Sequence, residues 1–165
     1  MTSAEMNKEI KRLQSERSAL IEKEKKVRWY KAATTEDPET CKPEYDLVGT
    51  GQKLSELEFK IRDLKHRLNV FNTTYTIPAL GMTIDQVLVY LPQLTCRIET
   101  LKTMASHLPK ARVEDRYGSR STLVEYEYTN YDPRLAQTEY DELVEELSSV
   151  QLLLDKVNNS VDIPF

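Results

Sequence analysis

With four glycines and two cysteines in 165 residues, this chain is poor in the two residue types on which loop-rich and disulfide-built folds depend. Cys41 and Cys96 make at most one pair, which is no disulfide framework, so both read as reduced thiols. Long apolar runs are missing too, and no stretch approaches the roughly 20 residues that a membrane helix needs. The opening MTSAEMNKEIKRLQSERSALIEKEKK is charged from Glu5 onward and has no apolar centre, which is not the pattern of a secretory signal. These absences make the cytoplasm the expected compartment and exclude a membrane as the expected partner. A basic excess is also lacking. The formal net charge of -4 argues against nucleic acid as the main partner, because phosphate binding wants a positive field.

What is present is 39% hydrophobic and 30% charged residues, arranged with helical periodicity. The length fits one domain, residues 1–165, able to bury a core without disulfides or metals. Four long helices are expected, at about 4–31, 52–71, 83–108 and 133–158. In the first, Met6, Ile10, Leu13, Leu20 and Val27 keep near-heptad spacing, interrupted by Arg17 and Glu24. Thr34 to Thr50, with Pro38 and Pro43, reads as a connection long enough to hold local structure. The second helix has the cleanest stripe: Leu54, Leu57, Ile61, Leu64, Leu68 and Phe71 all fall on one side.

Thr83 followed by Gln86 predicts a capping box at the start of the third helix. Its stripe is Ile84, Val87, Leu91, Leu94, Ile98, Leu101, Ala105 and Leu108, and Pro92 predicts a kink near Leu88 to Leu91. Asp132-Pro133 predicts N-cap and first residue of the last helix, with Ala136, Tyr140, Leu143, Leu147, Val150, Leu154 and Val157 inward. Between these two helices, Tyr117-Gly118-Ser119 reads as a turn and Leu123 to Tyr128 as strand, so a short hairpin is expected at about 111–130. The tail Val161 to Phe165 is apolar enough to dock, with Tyr75 to Pro78 as the expected place. The expected fold is therefore mainly α: an antiparallel long-helix bundle with coiled-coil-like packing and a short β-hairpin before the last helix. Residues 5–31 carry nine basic and five acidic side chains, whereas 133–157 carry two and six, so placing those helices together would be electrostatically favourable.

Chemistry-bearing motifs are sparse. Asp63 and His66 form D-x-x-H, but a diiron bundle wants E-x-x-H twice with further carboxylates, and His107 is the one other histidine. Neither cysteine sits in C-x-x-C. Glu139, Glu142, Glu145 and Glu146 could present a cation-binding face only with acids opposite, and a solvated helix face is the plainer reading. No metal, cofactor or catalytic residue is expected. The segment that stands out is Lys110 to Ser121. There Arg112, Arg116 and Arg120 could fork onto carboxylates or phosphates, and Tyr117 could stack on a ring. Pairing of those arginines with Glu125, Glu127 or a second subunit is the competing account.

The chain also resembles the bacterial septicolysin-like family of small proteins of unknown function. The resemblance rests on the Leu-rich opening helix, the Glu36-Asp37-Pro38-Glu39 loop, and the polar stop at Asn69, Asn72, Thr73 and Thr74. It continues through the Thr83-led third helix, the Arg116-Tyr117-Gly118-Ser119-Arg120-Ser121 segment with one extra Gly, and the last helix with its tail. Tyr90-Leu91-Pro92 departs from the charged residues usual there. The family name suggests a cytolysin, but no secretory signal and no inserting segment accompany it here, and the resemblance implies no catalytic residues. The expected function is a helical scaffold or protein-interaction module, self-associating into a homo-oligomer and open to a protein partner. The alternative is a binding protein or enzyme for a small phosphorylated or carboxylated ligand held by Arg112, Arg116, Tyr117 and Arg120.

Overall fold

A computed structural model describes residues 1–113 and 124–164. Its elements run α1 (Ser3–Val27), α2 (Pro38–Cys41), α3 (Leu47–Thr74), β1 (Thr76–Ile77), β2 (Met82–Thr83), α4 (Ile84–Ser106), β3 (Lys110–Arg112), β4 (Tyr126–Tyr128) and α5 (Pro133–Ser160). The protein is mainly helical, with helix-on-helix packing and a short antiparallel hairpin, β3–β4, ahead of the last helix, as its sequence predicts. These elements gather into two compact units. One comprises Met1–Tyr75 with Lys156–Phe165, and the other Thr76–Asp155.

In the first unit α1 and α3 pack against each other. Their direction is antiparallel: Arg17 meets Glu58 at 2.7 Å, while further along α1 Glu24 accepts from the Tyr45 hydroxyl at 3.1 Å. A reciprocal capping box between Thr2 and Glu5 starts α1 and satisfies two backbone donors that no helical carbonyl can reach. The helix ends at Val27, four residues short of the expected Lys31. By contrast α3 begins at Leu47, five residues before the expected Gln52. Gly49 and Gly51 weaken the helical signal there, yet Asp46 supplies the start by accepting the Gly49 N–H at 2.9 Å. A Cβ on Gly49 would lie 2.2 Å from that carboxylate, so a larger residue there would make the Asp46 side chain shift. The long connection does hold local structure: the single turn α2, capped by Asp37 with Pro38 as its first residue.

The tail completes this unit. Ile163 donates its N–H to the Met1 carbonyl at 2.9 Å, Thr2 bridges Asp162, and the Met1 ammonium meets the Asp162 carboxylate at 2.7 Å. Ile163 itself is only 3% exposed. The tail does dock, but its backbone bonds and its ion pair fall on Met1 and Thr2 and not on the expected Tyr75 to Pro78.

In the second unit β1 and β2 form a miniature hairpin absent from the sequence reading, turned at Gly81, whose φ of 63° is open to glycine at little cost. It leads straight into α4 through the predicted Thr83–Gln86 capping box. α4 stays helical from Ile84 to Ser106 with Pro92 inside it. Against it lies the 133–155 stretch of α5, begun as expected by Pro133 with Asp132 accepting the Arg134 N–H at 2.9 Å. Their partners run in opposite order, Tyr90 with Glu146 and Arg97 with Glu139, which makes this pair antiparallel too.

The apolar stripes are less deeply buried than their regularity suggests. On α3 only Leu57 and Phe71 of the six stripe residues are buried, and on α4 only Ile84, Val87, Leu94 and Leu101. Leu108, expected inside the third helix, lies beyond its end and is 65% exposed. A long helix paired with one main partner hides only the centre of its apolar face, while the flanking positions keep contact with water.

Candidate functional site

Of the four residues in the predicted patch, Arg112 lies on β3, whereas Arg116, Tyr117 and Arg120 fall outside the described residues. β3 pairs with β4 in the register Lys110 to Tyr128, Ala111 to Glu127 and Arg112 to Tyr126. The Val113 N–H adds a bond to the Glu125 carbonyl at 3.0 Å. Alternation along a strand puts Lys110 and Arg112 on the same face as Tyr126 and Tyr128. The Lys110 ammonium sits 4.1 Å from the Tyr126 ring centre and 5.5 Å from that of Tyr128, within cation–π range of both. Tyr126 is 46% exposed and Tyr128 62%. The hairpin therefore presents an open aromatic and cationic face.

The competing account, in which acids of the same hairpin neutralise the arginines, does not describe Arg112. Glu127 instead lies 3.8 Å from His107, and Arg112 forms no ion pair among the described residues. Tyr131, three residues after Tyr128, does not belong to the open face. It is partly buried, and its hydroxyl donates to the Met104 carbonyl at 3.0 Å, tying the start of α5 to the end of α4.

The other motifs assemble no site among the described residues. Asp63 accepts from Arg67 at 2.9 Å, leaving His66 exposed beside it. Among the described residues, no three histidine, cysteine, aspartate or glutamate side chains gather as a metal site. Cys41 and Cys96 are free thiols. On the acidic face of α5, Glu139 pairs with Arg97 at 3.3 Å and Glu146 accepts from Tyr90. A groove of about 710 Å³ between α1 and α3 is lined by Arg17, Arg62 and His66 among others. Two of its cations are engaged locally, Arg17 with Glu58 and Arg62 at 5.7 Å over Phe59. No helix among the described residues is long and apolar enough to cross a membrane.

Tyr90 makes the α4–α5 contact pH-sensitive. Its hydrogen bond to Glu146, reinforced by partial desolvation and the carboxylate charge, raises the phenol above its ordinary value. A phenol raised on folding contributes stability that is complete below the unfolded value of about 10 and lost as pH climbs through the folded one. Thermal melts followed by circular dichroism should show the midpoint falling less steeply in Tyr90→Phe than in wild type across that alkaline range. Identical slopes would contradict the assignment. Tyr45, raised mainly by burial and then by Glu24, should leave a residual slope of the same sign in the variant.

Sequence reasoning passed over Lys110 as a partner of the tyrosines, since their meeting depends on register across β3–β4. It also passed over Trp29. That residue falls off the stripe of Met6, Ile10, Leu13, Leu20 and Val27, which is the signal that could have marked it as outward-facing.

No protein-family model matches this chain, and no curated protein matches it. A solved structure does: a functionally unknown conserved protein from Corynebacterium diphtheriae, similar with a TM-score of 0.58 over 99% of each chain. At 22% identity the likeness establishes a shared mainly helical fold.

Proposed function

We propose that this chain is a non-enzymatic helical scaffold, a cytoplasmic interaction module that self-associates and offers the β3–β4 arm as a recognition surface. The observation that carries the reading is the arm itself, with Lys110 over two open tyrosines and Arg112 on the same face. Tyrosine and arginine are the side chains that binding surfaces favour, because each covers a large area and carries a polar end. The unpaired cysteines fit a reducing compartment. Kinship with the septicolysin-like family belongs to the same proposal.

A second reading is supported by Arg112, which has no acidic partner among the described residues. In it, Arg112, Arg116, Tyr117 and Arg120 hold a small phosphorylated or carboxylated ligand. Light scattering over a range of concentrations tests both, with wild type measured beside an Arg116→Ala/Arg120→Ala double substitution. A wild-type mass above one chain is expected, and a strict monomer would overturn self-association. Loss of the oligomer in the double variant would place the arm between copies. An unchanged oligomer would leave the arm for another protein or for the ligand, to be sought as thermal stabilisation by phosphorylated and carboxylated metabolites.

A further inference from the structure

The first unit ends in a second exposed aromatic feature, remote in sequence from the arm. Beyond the last turn of α1, Trp29, the single tryptophan of the chain, is 80% exposed and Tyr30 42%. The antiparallel pairing brings the start of α3 to the same end, as the Tyr45–Glu24 bond shows, and there Leu47 and Val48 are each 68% exposed. Isolated exposed apolar residues need no explanation, but four at one end of a helical pair make a patch. At the same end Val27, two residues before Trp29 in sequence, borders a hollow of about 360 Å³ in which Leu20, Val27 and Tyr45 are ringed by Lys23, Glu24, Glu44, Asp46 and Lys53. A bulky knob and a hollow thus lie on one surface.

The charges at this end decide between occupants. Residues 22–46 carry six basic and seven acidic side chains, so an anionic membrane or a nucleic acid would meet no net attraction. The two signs are segregated in sequence: the basic residues crowd into Lys23 to Lys31, and most acids follow from Glu36 to Asp46. A two-fold axis would lay the basic stretch of one copy on the acidic stretch of the other, and the same rotation would offer each Trp29 the partner's hollow. Aromatic side chains bury about 150–250 Å² each, and with Tyr30 already partly covered and the smaller Leu47 and Val48 added, hiding the four on both copies removes on the order of 1,000 Å² in total. That is near the lower bound of about 1,000 Å² for a specific contact.

We propose that the Trp29 end of the first unit is the surface through which two copies of this chain associate, each indole entering the hollow beside Val27 and Tyr45 of its partner. The proposal rests on the self-association half of the reading above, and it assigns that contact to a surface other than the arm. The contact is small, so the dimer is concentration-dependent.

Trp29 reports on its own burial. Fluorescence of the wild-type chain, measured over the same dilution series as its mass, is expected to shift to shorter wavelength as the mass rises to two chains. Trp29→Ala should weaken dimerisation at least about tenfold, as loss of a central aromatic contact does. Leu47→Glu should do the same while leaving α3 intact, because a carboxylate is welcome in the first turn of a helix. The Arg116→Ala/Arg120→Ala double substitution should leave the dimer unchanged. A wild-type monomer at every concentration would overturn self-association and this contact together. A wild-type dimer that survives both Trp29→Ala and Leu47→Glu would overturn this contact alone. A blue shift of the dilute monomer on adding phosphatidylserine-containing vesicles would hand the patch to a membrane instead.

Discussion

Leu101→Ala should lower the free energy of unfolding by about 2–5 kcal/mol, the range for deleting a large side chain from a site that cannot collapse. Leu101 is 1% exposed toward the end of α4, with Val87 at 0% and Leu94 at 5% on the same helix face. Removing its isobutyl group forfeits the transfer free energy of the lost methylenes and leaves a void that helical neighbours cannot close without moving backbone. Chemical denaturation of wild type and variant measures the difference, provided that the slope of the transition is unchanged. The informative control is Leu64→Ala. Its place in the cleanest heptad stripe makes Leu64 look like core, yet it keeps contact with water in the structure, so its loss should cost well under that of Leu101. Equal costs would mean that the regular stripe, and not the observed burial, describes the core.

Ile163→Ala should be nearly as damaging, again about 2–5 kcal/mol, although the residue lies two positions from Phe165. Terminal residues ordinarily fray and tolerate change. Here the side chain is 3% exposed and its backbone is held by the Met1 carbonyl, with the Thr2–Asp162 bridge one residue before it. The flanking Asp162 is the contrast: its ion pair with the Met1 ammonium is largely solvent-exposed, so Asp162→Ala should cost no more than about 1 kcal/mol. The measurement is the denaturation midpoint of each variant, read with amide exchange at Thr2 and Ile163. An Ile163→Ala protein as stable as wild type would show that the tail adds nothing to the first unit.

Both expectations depend on features that differ in how far they can be read from sequence. The start of α4 is legible because its capping box joins Thr83 to Gln86, three residues apart. The start of α5 is legible for the same reason, since Asp132 reaches only to Arg134. The start of α3 is not, because Gly49 and Gly51 speak against helix until one sees Asp46 closing over the Gly49 N–H. The β1–β2 pair escapes notice because two residues per strand leave no alternation to detect. In the arm, the strand-forming run around Tyr126 is visible, but the meeting of Lys110 with both tyrosines follows from register.

The sequence by itself determined that this protein is mainly helical, with long amphipathic helices and a hairpin before the last of them. Capping hydrogen bonds span two or three residues, and apolar spacing repeats within one helix, so both are written locally. Only the tertiary structure decided which stripe positions lose their water, where the tail docks, and which aromatics stay outside. Those outcomes depend on pairing between segments far apart in the chain, where the same Leu-rich stripe is buried at Leu57 and left partly open at Leu64. Exposure of Trp29 is of this second kind: the helix ends at Val27, two residues before it, and the indole stays 80% exposed.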